Sequence, residues 1–303
     1  EEEGLSLATR LVLAKGVISL VDEHDDTRTP FAAGLEFGTR YRMEGWGQGL
    51  TMLTCFQNLL PSLRAEDRAR ALTHGLAAVA ADTAGRSPRF TVSPLPDGSP
   101  ELPLLKQWFR RFVMVRDNEG AERCIVTALR AGAGPQEMAD ILFSAATDFR
   151  YIDVGHPLDF TNKAFEALDI VGWEHAERVL TSLVPGYAAA RRMEESNAWR
   201  NPIDLIALLR DAFDRLADAL AAGASKRGSW QGRAALAPVL REDDPQTSID
   251  GLLAALRDGA SEAELAGTVA YAAALRIARF HTSNEFGDWD TALHTFTFAN
   301  AVH

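Results

Sequence analysis

The sequence predicts an all-α fold: a multi-helix single domain over 1–303, made of stacked helical hairpins with an internal repeat. Three observations carry that expectation. Apolar residues recur every three or four positions along most of the chain, the spacing that gathers them on one side of a helix. Strand-like patterning is confined to Phe90-Thr91-Val92. The periodic stretches stop at glycine or proline, which end helices for steric and hydrogen-bonding reasons.

The first helix is expected over 5–21, with a break at Asp22-Glu23-His24-Asp25-Asp26, a charged and turn-prone run. A second is expected over 50–60, stopping at Pro61, and a third over 65–84, stopping at Gly85. Residues 87–103 hold Pro88, Pro94, Pro96, Pro100 and Pro103 around Asp97-Gly98. Each proline removes a donor and restricts the residue before it, so this stretch reads as a long surface connection. Helices are expected again over 104–116, 121–131, 135–151, 160–171, 174–183 and 203–222. A second connection with one short helix covers 225–247, which carries Gly228, Gly232, Pro238 and Pro245. Helices over 249–258, 262–280 and from 290 onward complete the list. Residues 295–303 read as mid-helix without a glycine cap, so the natural chain is expected to continue past His303.

Composition narrows the function. The chain has 303 residues, 47% of them hydrophobic, enough to bury a sizeable core. Its net charge of −11 argues against a nucleic-acid partner, because such binding rests on cationic contacts to phosphate. Cys55 and Cys124 lie far apart with no CxxC, which supports neither a disulfide framework nor a zinc ribbon. Two thiols in a chain this long fit a reducing cytoplasm. No stretch has the unbroken apolar length of a membrane span, and Glu1-Glu2-Glu3 is the opposite of a basic signal-peptide start.

The repeat is read from residues 128–139 and 255–266, which align without a gap. In both, a helix ends at glycine, Gly132 or Gly259, and another begins at once. Ser261 with Glu264 forms a capping-box pattern, and Gly134-Pro135 starts the matching helix by another route. After each second helix come a histidine and then an acid followed by phenylalanine. These are His156 with Asp159-Phe160, and His281 with Glu285-Phe286.

Those histidines are the candidate chemistry. His156 precedes Pro157, so a helix must bend or restart there, and Asp159 lies three residues on. His281 and Glu285 are four apart, on one helical face. Imidazole with carboxylate at such spacing can chelate a divalent ion, or the acid can orient the ring from behind. His175 follows Trp173 at a helix start, and His294 sits on an apolar helix where an unpaired polar group is costly. The same residues could equally be hydrogen-bonded core or helix-end histidines. HExxH, GxSxG, GxGxxG after a strand, and P-loop patterns are absent. Trp46, Trp108, Trp173, Trp289, Phe296 and Phe298 could line a pocket for a flat apolar substrate or pack a core.

Several fragments resemble the questin oxidase-like family. Ile152-Asp153-Val154-Gly155-His156-Pro157-Leu158-Asp159-Phe160 is similar to its I-H-L-G-Y-x-[IL]-E-F pattern. Glu166-Ala167-Leu168 through Trp173-Glu174-His175 resembles an E-A-L run ending in histidine. Asp290-Thr291-Ala292-Leu293-His294 and Thr73-His74-Gly75 resemble two further segments. The resemblance implies a helical oxygenase acting on aromatic compounds, with iron held by histidines and a carboxylated lysine. Two departures stand out. Asp153 occupies the place of the family's first histidine, while His156 replaces a tyrosine. Lys163 is the only lysine near the candidates.

The resulting expectation is a cytoplasmic, non-haem iron oxygenase. Its metal would be held by His156, His175, His281 and His294, with Asp159 or Glu285 in the lysine's place. Its partners would be a small aromatic or apolar substrate, O₂ and an electron donor. Two other classes fit the same residues: a protein binding haem or another cofactor non-covalently, and a non-enzymatic helical-repeat scaffold.

Overall fold

The computed structural model describes residue 5, residues 10–96 and residues 100–303. Residues 1–4, 6–9 and 97–99 lie outside the described residues, and with them the expected Glu1-Glu2-Glu3 start, part of the first turns of the 5–21 helix and the Asp97-Gly98 turn. Among the described residues every regular element is helical and no strand forms, so the fold is all-α. No helix is long and apolar enough to cross a membrane among the described residues. The chain divides into two compact units, Glu1–Asp148 with Phe160–Ala190, and Phe149–Asp159 with Arg191–His303.

In the first unit, α1 (Arg10–His24), α2 (Arg28–Arg40), α3 (Gln48–Leu59) and α4 (Ala65–Thr83) pack around the α3–α4 pair. No helix is expected from sequence over α2, which carries Pro30, Gly34 and Gly38. Pro30 stands in the first turn, where its missing N–H costs nothing. Gly34 and Gly38 are one turn apart and let neighbours approach. A Cβ at Gly34 would come within 2.5 Å of Leu76, and one at Gly38 within 2.5 Å of Leu50. Helices α5 (Leu102–Met114) and α6 (Asn118–Arg130) pack as a pair, followed by α7 (Pro135–Thr147). Helix α8 (His156–Val171) begins in the second unit and continues into the first, which closes with α9 (Ala176–Thr181) and α10 (Val184–Ala189). Tyr187 is fully enclosed, and its hydroxyl donates to the Leu142 carbonyl at 3.1 Å while Thr161 lies 2.9 Å away.

The proline-rich connection is extended and pinned by side chains where it lacks a ladder. Arg89 N–H donates to the Arg40 carbonyl (2.7 Å), and the buried Arg89 guanidinium meets Glu122 (2.6 Å) and the Thr181 carbonyl (2.8 Å). Val92 N–H donates to Glu122, and Leu95 N–H donates to the Thr127 hydroxyl.

In the second unit, α11 (Leu205–Gly223), α12 (Arg233–Val239), α13 (Pro245–Arg257), α14 (Glu262–Ala278) and α15 (Phe286–Val302) follow. Ala219, Leu236, Leu253, Leu256 and Leu265 form a buried cluster. Helices α14 and α15 pack as a pair, and α15 also meets the turn at 152–155. The two glycine corners from which a repeat was expected share one geometry. Gly132 and Gly259 have φ of +93° and +94°. Ala133 N–H reaches the Ala128 carbonyl and Ala260 N–H the Ala255 carbonyl, both at 3.0 Å, the Schellman closure of a helix end. The flanking helices diverge instead of folding back on each other, so these are corners and not hairpins. Beyond the corners the two copies differ. His156 opens a helix, whereas His281 lies in a turn between two helices.

Candidate functional site

The site grows from a tight turn. Before α8 the chain takes left-handed conformations at Tyr151 (φ +54°), Asp153 (φ +40°), Val154 (φ +50°) and Gly155 (φ +94°). Each non-glycine residue in this region costs roughly 1–2 kcal/mol, and such strain survives only where surrounding contacts enforce it. Those contacts are present. Asp153 N–H donates to the Arg191 carbonyl (2.7 Å), and Arg191 in turn donates to the Asp153 carboxylate (3.2 Å). Gly155 lies against Phe298 of α15, which a Cβ would meet at 2.9 Å. The turn delivers His156 to the first position of α8, and Pro157 follows where a helix tolerates it.

There His156 faces His294, 138 residues on in the chain. The two Nε2 atoms are 3.1 Å apart, with ring centroids at 4.7 Å. His294 Nδ1 lies 2.7 Å from the Asp290 carbonyl, one turn back on α15. A carbonyl only accepts, so Nδ1 carries the proton, and the Nε2 of neutral His294 presents a lone pair. His156 Nδ1 faces the buried Asp159 carboxylate at 3.5 Å. Burial of the His156 ring acts to lower its pKa. The hydrogen bond and charge of Asp159, with the charges of Asp153 and Asp290, outweigh burial and hold it above the ordinary 6.5.

His294 Nδ1 thus has a carbonyl oxygen at 2.7 Å and His156 Nδ1 a carboxylate at 3.5 Å, while the two Nε2 atoms face each other at hydrogen-bond distance. An oxygen behind Nδ1 is how metal-ligating histidines are oriented by outer partners. Two nitrogens 3.1 Å apart, each about 2.1 Å from one ion, would subtend about 95°, close to adjacent positions of an octahedron. Imidazole suits iron, zinc, copper and nickel. The pair supplies two imidazole nitrogens, and among the described residues no third His, Cys, Asp or Glu side chain joins them as a ligand group.

Aromatic rings gather at the turn before His156. Tyr151 packs edge-on to Phe298 (5.1 Å) and beside Trp199 (5.8 Å). Burial pushes the Tyr151 phenol up to about 12, partly offset by a hydrogen bond with Thr295. Of the aromatic set named from sequence, Phe298 belongs to this group. Trp46 is buried and donates to Thr51, Trp173 packs near Phe165, and Trp289 near Phe280.

Of the six predicted ligands, the structure brings together His156, His294 and Asp159. His281 is exposed, and its Nδ1 lies 2.7 Å from the Ser283 hydroxyl. Glu285 is exposed and stands at the N-cap of α15, its backbone N–H donating to Asp288 (3.3 Å). The expected helical face shared by His281 and Glu285 does not exist, because the chain between α14 and α15 is a turn. His175 lies in the first unit, exposed on a short 3-10 turn over Trp173–His175. Lys163 donates to both oxygens of Glu166, at 2.7 and 2.8 Å. Among the described residues, no group of three or more His, Cys, Asp or Glu side chains is poised to hold a metal ion, so the four-histidine centre is not formed. Two participants went unread in the sequence, Tyr151 and the Asp290 carbonyl. The second carries a signal, an Asp four residues before a histidine on a helix. No family model, curated protein or solved structure matches the chain.

Proposed function

We propose that the chain is a metal-dependent oxidoreductase, an oxygenase of a small aromatic or apolar substrate, whose ion is held by His156 and His294. The observation that supports this is the close approach of two Nε2 atoms whose opposite nitrogens each face an oxygen. Non-haem iron is the ion that the resemblance to the questin oxidase-like family implies. Bound there, such an ion would supply Lewis-acid and one-electron redox chemistry, with its remaining positions open to O₂, water and substrate. The chain's own residues prepare the centre. Asp159 orients His156 and raises its basicity, and the Asp290 carbonyl fixes the His294 tautomer.

The test is metal binding by calorimetry and elemental analysis, with iron(II) under anaerobic conditions and with zinc(II). The wild type is expected to bind one ion. His156→Ala and His294→Ala should lose it while keeping their helical circular dichroism. His281→Ala and His175→Ala should keep it. Wild-type protein that takes up no ion, or a His294→Ala variant that binds as well as the wild type, overturns the proposal.

A further inference from the structure

A depression lies in the first unit next to the one that His175 lines, and the two share Thr91 and Arg178. The former has a volume of about 530 Å³ and is lined by Arg40, Tyr41, Arg89, Phe90, Thr91 and Arg178 among others. That is within the range of small-molecule sites, roughly 300–1,000 Å³. One wall is the pinned proline-rich connection and the other is the end of α2.

Charge counting decides what it would hold. Three guanidinium groups meet there, but two are already matched. Arg89 is buried against Glu122 at 2.6 Å, and Arg178 pairs with Glu36 at 2.5 Å. Arg40 is exposed, and among the described residues it makes no ion pair; its guanidinium rests 5.3 Å over the Tyr41 ring. The depression therefore offers one uncompensated positive charge. Beside it the pinned connection turns Arg89 inward and Phe90 outward, leaving Phe90 81% exposed. A rigid backbone thus displays an apolar ring next to a cation–aromatic pair. A planar ligand would recover the burial that Phe90 forgoes, and a single negative charge would match Arg40 with a charge-assisted, bidentate hydrogen bond.

We propose that this depression is a binding site for a flat organic monoanion, an aromatic carboxylate, seated with its ring against Phe90 and Tyr41 and its carboxylate on Arg40. The site is independent of the His156–His294 centre and of the reading placed on it.

The full-length protein is titrated with 2-naphthoate, followed by calorimetry and by ligand-observed NMR. Saturable one-to-one binding is expected in the millimolar range or tighter. Arg40→Gln should weaken it about tenfold or more, the scale of a lost charge-assisted pair. Phe90→Ala should weaken it as well, with circular dichroism unchanged because both side chains are exposed. The neutral 2-naphthamide should bind no better than the Arg40→Gln variant binds naphthoate. Failure of naphthoate to saturate, equal binding by Arg40→Gln, or equal binding of the amide each overturns the proposal. Inorganic phosphate displacing naphthoate at lower concentration would also overturn it, since the site would then be a general anion site.

Discussion

His156 shows how one side chain can carry two opposed pH dependences. Its pKa in the folded chain is raised, because Asp159, Asp153 and Asp290 outweigh the burial of the ring. A group whose folded pKa exceeds its unfolded value stabilises the fold fully below the unfolded value, near 6.5. That contribution is lost as pH rises through the folded pKa. For the metal-free protein, the stability advantage of wild type over His156→Gln should therefore be largest in mildly acidic buffer and shrink as the pH is raised. Urea denaturation of both proteins over about pH 5.5–8.5 reads this directly. An advantage that grows with pH would mean that the neutral ring, not the charged one, is the form the fold prefers. Metal binding should run the other way. It needs the deprotonated Nε2, so affinity should rise with pH across the same window. The sequence made His156 and Asp159 legible, because a histidine before proline with an acid three residues on marks a helix start. It did not reveal which distant histidine would meet His156. The sequence symmetry that pairs His281 with His156 is one the backbone does not keep, since Phe280 already lies beyond the end of α14.

At the scale of elements, the glycine corners separate backbone strain from steric room. Gly132 and Gly259 have nearly the same φ and the same Schellman hydrogen bonds. Around Gly132 a Cβ would meet nothing within 4 Å, so Gly132→Ala carries only the left-handed penalty of about 1–2 kcal/mol. At Gly259 a Cβ would approach the Lys226 carbonyl oxygen to 2.3 Å, so Gly259→Ala must also displace the backbone over Ala224–Lys226. Gly259→Ala should thus cost clearly more than Gly132→Ala in denaturant titrations. Equal losses would show that the 224–226 segment yields freely. These corners were readable because a left-handed residue after a helix almost demands glycine. What followed them was not readable, because whether two helices fold back or diverge depends on the faces they bury elsewhere. Helix α2 escaped for the converse reason. Gly34 and Gly38 weaken helix propensity locally, and only their contacts with Leu76 and Leu50 show why the chain keeps them.

At the scale of the whole molecule, the chain enters the second unit at Phe149, leaves it at Phe160 and returns at Arg191. Both histidines of the proposed centre lie in that second unit, one on the short inserted stretch and one on the last helix. Binding an ion there ties residues 149–159 to α15, and the stabilisation follows from mass action. At a free metal concentration a hundred times the dissociation constant it is about 2.7 kcal/mol. If all 303 residues unfold in one transition, the entropy of unfolding scales with the full length and the melting temperature should rise by about 4 °C. If the second unit melts as its own transition, fewer residues share the same free energy and the shift should be more than twice as large. Differential scanning calorimetry with and without metal distinguishes the two, and His294→Ala should show neither shift. A melting temperature that metal leaves unchanged in the wild type would remove the ion from the His156–His294 pair. The short Nε2–Nε2 contact would then be a shared proton between two imidazoles, with Asp159 as the counter-charge.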